Sequence, residues 1–116
     1  MSDLKKRIKD ADDIQHEVVH VEEWNVDVEV RGMDGEARAE YFNSSYDDTG
    51  KPIYGKASVH IVIETCYDPE TGGRLFEPTD ASWLLKKSGM ALNRLGLKAM
   101  QLSGISIEEQ EKIKNG

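Results

Sequence analysis

From Val19 to Val30 the chain alternates apolar and polar residues. Val19 and Val21 come first, then Trp24, Val26, Val28 and Val30, with Glu22, Asn25, Asp27, Glu29 and Arg31 between or beside them. Strand side chains point to opposite faces with a period of two, so this segment buries one face as a pair of strands. Glu22-Glu23-Trp24-Asn25 is then the turn of a hairpin, without the Asn-Gly or Asp-Gly pair that marks the tightest turns. The rest reads mostly as helix. Ser2 can cap a short amphipathic helix to Asp10 with Leu4 and Ile8 on one side. Asp34 can cap another to about Ser44, with Ala37, Tyr41 and Phe42 inward. Residues 45–56 form the longest loop.

Residues 57–67 are ambiguous, because Val59, Ile61, Ile63 and Thr65 alternate as in a strand while Ala57, Ile61, Val62 and Thr65 fit one side of a helix. Propensity alone favours strand. A turn over residues 68–74 precedes Leu75-Phe76, and Thr79 or Asp80 caps a helix carrying Trp83 and Leu84, with Lys86 and Lys87 near its C-terminal end. Ser88 restarts a helix with Leu92, Leu95, Ala99 and Leu102 as one apolar stripe, and Gly104 stops it. Ser106-Ile-Glu-Glu opens a last short helix. With 116 residues this is one domain, 1–116, in which residues 1–15 form a mobile helix and linker and 104–116 the C-terminal helix.

Charge and cysteine content narrow the function. A net charge of −7 argues against nucleic acid as partner, since phosphate binding needs clustered Lys and Arg. The charge is polarised: residues 10–48 hold thirteen carboxylates against two bases, and residues 74–98 five bases against two carboxylates. Two solvated faces would explain this, and so would salt-sensitive self-association or docking of a partner. The lone Cys66 sits among apolar, β-branched residues as a buried thiol and asks for no oxidising compartment. No stretch is long enough to span a bilayer, and the charged start is not a secretory signal, so a cytosolic address is expected.

One catalytic pattern is present. His16-Glu17-Val18-Val19-His20 matches the H-E-x-x-H of zinc peptidases, in which two imidazoles one helical turn apart share a metal and the Glu activates its water. On a strand, residues four apart are separated by about 13 Å, too far for one zinc. Because the segment runs into the valine hairpin, the match is read as chance. Asp68 and Glu70 lack the ligand series of a calcium loop, and the glycines form no phosphate cradle. No catalytic, metal-binding or cofactor-binding residue is assigned.

The order of elements is itself informative. Residues 19–38, from Val19-His-Val-Glu-Glu-Trp24 through the alternating valines to Asp34-Gly-Glu-Ala-Arg38, resemble the opening of siphophage tail assembly chaperones, although Glu22 stands where that family often has Pro. Asp68 to Phe76 resembles its acidic-glycine turn ending in Leu-Phe. Thr79 to Ser106 resembles its capped short helix, basic joint and longer helix. The resemblance runs over roughly residues 10 to 108. It implies an α+β, mainly helical fold, with an N-terminal β-hairpin followed by four to five short helices, and it assigns Ala57 to Cys66 to helix against propensity. It also implies a non-enzymatic protein of the host cytoplasm that coats the tape measure protein, recruits the tail tube (major tail) protein, and is absent from the mature virion. Many members are also made in a longer, frameshifted form, of which this chain would be the short counterpart. A homo-oligomer is compatible with that role; nucleic acid, membrane and cofactors are not expected. Trp24, Trp83, Leu84, Lys86, Lys87, Arg94 and Lys98 are the expected partner-binding residues. The alternatives are a small zinc metallopeptidase and another phage neck or tail-completion protein.

Overall fold

The computed structural model describes residues 2–44, 47–51 and 57–105. The expected helix opening at Ser106 and most of the loop over residues 45–56 lie outside them. Strands β1 (His16–Val21) and β2 (Val26–Arg31) form the expected hairpin, paired antiparallel from His16 opposite Arg31 to Val21 opposite Val26. Its four-residue turn closes because Asn25 adopts a φ of +52°, a left-handed conformation that Asn tolerates better than most side chains. That residue carries the turn signal that a search for Asn-Gly overlooks. Val21, Val28 and Val30 are fully buried on one face of the ribbon and Val18 is exposed on the other, as alternation requires; Val26 shares the core-side face but lies beside the turn, where it is exposed.

Helix α1 (Asp3–Asp10) precedes the hairpin, capped by Ser2, whose Oγ accepts the Lys5 N–H at 3.1 Å. Helix α2 (Gly35–Ser44) follows it, capped by Asp34 through the Ala37 N–H at 2.8 Å. Helix α3 (Ala57–Thr65) settles the ambiguous segment as helix. Val59, Ile61, Val62, Ile63 and Thr65 are all buried, so the helix is apolar nearly all round and its periodicity carries no information about its class. The Thr65 hydroxyl donates to the Ile61 carbonyl at 2.6 Å, which satisfies it inside the core.

Cys66, expected at the end of this helix, instead begins a third strand, β3 (Cys66–Tyr67), that pairs with β2 at Val30 and Glu29. The sheet order is β1-β2-β3. Two residues are too few to show an alternating pattern, and the strand exists because β2 offers it a hydrogen-bonding edge. A turn over residues 68–73 brings Arg74 back opposite Tyr67. The helix expected after Thr79 is shorter than its cap suggests. A 3₁₀ turn, Pro78–Asp80, leads into the four-residue α4 (Ala81–Leu84), and Asp80 reaches back so that its carboxylate accepts the Glu77 N–H at 2.8 Å. Pro78, with no N–H to be satisfied, suits the first position of that turn.

Helix α5 (Gly89–Leu102) is capped by Ser88 and buries Leu92, Leu95 and Ala99 of the expected stripe, together with Ala91, Gly96 and Met100; Leu102 is half-buried. It closes at Gly104, with a φ of +72°, where the Ile105 N–H returns to the Met100 carbonyl at 2.9 Å. This terminus meets the end of β2. The Gly32 N–H donates to the Gln15 carbonyl at 2.8 Å, and a Cβ on Gly32 would lie 2.5 Å from the Leu102 carbonyl oxygen. Beside it, Ser103 Oγ accepts the Met33 N–H at 2.9 Å and donates to the Ala99 carbonyl at 2.6 Å. Arg38 of α2 donates to the Ser103 carbonyl at 3.1 Å. Hairpin, α2 and α5 are thus joined at one point.

Because the obstructing atom at Gly32 belongs to backbone, Gly32→Ala should force the strand and helix apart and cost about 1–3 kcal/mol. Denaturant titration should show a lower midpoint with an unchanged slope.

Candidate functional site

The H-E-x-x-H segment lies on β1, so His16 and His20 are separated along an extended strand rather than stacked on a helix. Each imidazole instead meets a carboxylate of β2: His16 Nδ1 lies 3.2 Å from Glu29 Oε2, and His20 Nδ1 lies 2.8 Å from Asp27 Oδ1. Glu17 leaves from the opposite face and pairs with Lys98 of α5 at 2.6 Å. Strand alternation thereby divides the three residues that a peptidase would need to converge. Among the described residues, no group of three or more His, Cys, Asp or Glu side chains is placed to hold a metal ion. Cys66 is fully buried, and burial pushes its thiol up to about 12, which leaves it protonated and a poor nucleophile.

The seven expected partner-binding residues divide into two sets. Arg94 and Lys98 lie one turn apart on α5 and are both engaged within the chain. Arg94 forms a two-pronged pair with Glu23 in the hairpin turn, its Nη2 lying 3.2 Å from Oε2, and Lys98 pairs with Glu17. The hydrogen bond from Arg94 holds the Glu23 carboxyl below its ordinary value, and the same bond raises Arg94. Trp24, beside Glu23, is half-buried and packs against the core. Part of the complementarity between the acidic first half and the basic helical region therefore clamps the hairpin onto α5. Leu84 is fully buried and acts as packing under α4.

Trp83, Lys86 and Lys87 remain at the surface. Trp83 is 44% exposed, and its position is fixed. Its ring meets Phe76 edge-on with centroids 5.9 Å apart, and its Nε1 donates to Asp80 Oδ1 at 2.9 Å. The Asp80 carboxyl is held below its ordinary value by the Glu77 backbone N–H and then by Trp83. The sequence reading missed Leu85, Met90 and Leu97, which are 46%, 72% and 45% exposed. Met90 and Leu97 lie seven residues apart, hence on one side of α5, away from the buried stripe. Their signal in the sequence is an apolar pair that falls off the 92-95-99-102 pattern. A pre-set indole, three exposed apolar side chains and two lysines that form no ion pair among the described residues thus lie within one α4–α5 segment.

The profile of the family described as phage tail assembly chaperone matches residues 3–114. Among solved structures, the tail assembly chaperone of bacteriophage HK97 is similar. It shares 24% identity, with 87% of this chain and 98% of that chain covered and a TM-score of 0.62, a likeness of fold. No curated protein matches the chain.

Two outcomes follow from the electrostatics. A carboxylate whose folded pKa is depressed adds stability above its unfolded value and loses it as pH falls through the folded one. The thermal midpoint should therefore drop as pH falls below about 4.5, the ordinary value for Glu23. Arg94→Ala should flatten the part of this acid dependence due to Glu23, read by circular dichroism from about pH 6 to about pH 3. Cys66, for its part, should react with a thiol reagent only at the rate of unfolding; prompt labelling of the native protein would contradict its burial.

Proposed function

The chain belongs to the phage tail assembly chaperone family, and from that premise we propose that it binds the tape measure protein during tail morphogenesis, keeps it soluble, and recruits tail tube subunits to it. The family match over residues 3–114 carries this reading. The surface chemistry supports it. A long helical protein awaiting its tube exposes apolar faces that would otherwise associate with one another, and a small acidic protein that covers them transfers its own charge to the complex. Trp83, Leu85, Met90 and Leu97 supply apolar area for such a contact, and Lys86 and Lys87 supply attraction for acidic residues at its rim. Arg94 and Lys98 contribute indirectly, by holding the hairpin against α5.

In this reading the protein acts by binding rather than by catalysis, works in the host cytoplasm, and leaves before the virion is complete. Among the described residues, no helix is long and apolar enough to cross a membrane. The neck or tail-completion alternative makes the opposite prediction, that the protein persists in finished particles.

Co-expression with the tape measure protein of the same phage should raise the soluble fraction of that protein and yield a complex that co-purifies. Trp83→Ala should weaken the complex by about 2 kcal/mol, roughly 30-fold, without unfolding the chaperone. Absence of any complex, or stoichiometric protein in purified virions, would sink this reading.

A further inference from the structure

The hairpin leaves one row of backbone groups facing away from the sheet. In an antiparallel pair, opposed residues alternate between exchanging hydrogen bonds and turning their N–H and C=O groups outward. The Gly32 N–H donates to the carbonyl of Gln15, its opposite neighbour, and this sets the phase of the pairing. Glu17, Val19 and Val21 therefore bond to Val30, Val28 and Val26, and the peptide groups of His16, Val18 and His20 point away from β2. Strand β1 stands at the end of the sheet order, and none of these three residues has another backbone partner among the described residues.

Proteins commonly obstruct such an edge with Pro, a bulge or an outward charge. Strand β1 contains no Pro, and its register with β2 is unbroken. Its two imidazoles are drawn over β2 by Glu29 and Asp27, and Glu17 is drawn towards α5 by Lys98, so the approach to the edge is clear. The floor beside the edge is apolar. Met90, Arg94 and Leu97 follow at four and three residues and share one side of α5, whereas Gly96 meets Ile61 of α3 on the other side. Because α3 leads into β3, the sheet runs from β3 on the α3 side to β1 on the side where Arg94 and Lys98 meet the hairpin. The exposed Leu97 and Met90 therefore extend past β1, beneath the place where a further strand would lie.

Only an extended backbone repeats N–H and C=O groups at the spacing of a strand edge. A helix bonds its own groups internally and has none to offer along its length. A helical tape measure protein is thus unsuited to this edge, and the other partner in the proposed function, the tail tube subunit, remains. We infer that an extended segment of a tail tube subunit adds to β1 as a fourth strand, bonding to the peptide groups of His16, Val18 and His20, with apolar side chains at alternate positions resting on Leu97 and Met90. This rests on the proposed recruitment of tube subunits and gives that recruitment a place. With the tape measure protein on the Trp83 side, the two partners meet along the Met90–Leu97 line of one chaperone.

Binding of the purified tail tube subunit of the same phage to the full chain, read by calorimetry, tests the inference. Wild type should bind, and amide exchange followed by NMR should slow by about tenfold or more at His16, Val18 and His20, and change less at Glu17 and Val19, whose N–H groups are already bonded in the hairpin. Val18→Pro removes the central outward N–H without breaking a bond of the sheet, and should weaken binding by about tenfold or more; Val18→Thr keeps the N–H and should bind like wild type. Circular dichroism should show an unchanged fold for both; if Val18→Pro unfolds, the exchange pattern of the wild type decides alone. Tube binding that leaves the three amides unprotected, or that survives Val18→Pro, would overturn the inference and leave recruitment standing. A wild type that does not bind the tube subunit would overturn both. Self-association lost in Val18→Pro, with tube binding retained, would assign the edge to a second copy and overturn the inference as well.

Discussion

The close passage of Gly32 over the Leu102 carbonyl sets the distance between the hairpin and the helical layer. Only a residue without a side chain fits there, and the contact is surrounded by hydrogen bonds that depend on it. Met33 reaches the Ser103 hydroxyl, Ser103 turns back to Ala99, and Arg38 brings α2 to the same carbonyl terminus. Helix ends present unsatisfied carbonyls, so the end of α5 is a natural place for another element to dock. Here it receives the arginine of α2 and lies against the exit of β2, and this joint fixes where α2 must lie.

Charge also holds the hairpin to α5, at the turn and near the start of β1. Glu17 and Glu23 meet Lys98 and Arg94 on α5, whereas the buried valines face the core between these contacts. Exposed pairs of this kind add little stability singly. Their value here lies in orientation, since two pairs on one helix define the angle at which the ribbon lies across it. The acidic first half of the chain is thus divided into carboxylates that build the fold and carboxylates that stay exposed.

Local signals made most of the secondary structure legible. Ser2, Asp34 and Ser88 are readable as caps because capping involves residues two or three apart, and the hairpin is readable because its two faces differ in polarity. Helix α3 is not readable from pattern, because Val59, Ile61, Val62 and Ile63 are buried on every side; only the likeness to a known order of elements assigns it correctly. Strand β3 is a product of tertiary pairing and leaves no trace in two residues. The surface is less legible than the fold. Arg94 and Lys98 look like free cations until partners 71 and 81 positions away are brought to them, and Leu84 looks like a neighbour of Trp83 until the fold turns it inward.

Helix α3 passes into β3 with no residue between Thr65 and Cys66. A helix and a strand joined by a loop can shift independently, but these two behave as a single bent bar. Any torque on α3 about its axis would drag Cys66 out of register with Val30, and because both are sealed in the core, such slippage would open a void. The sheet and the helical layer therefore transmit load to each other directly. A displacement of α3 would be felt at β2 without being absorbed by a hinge at this junction.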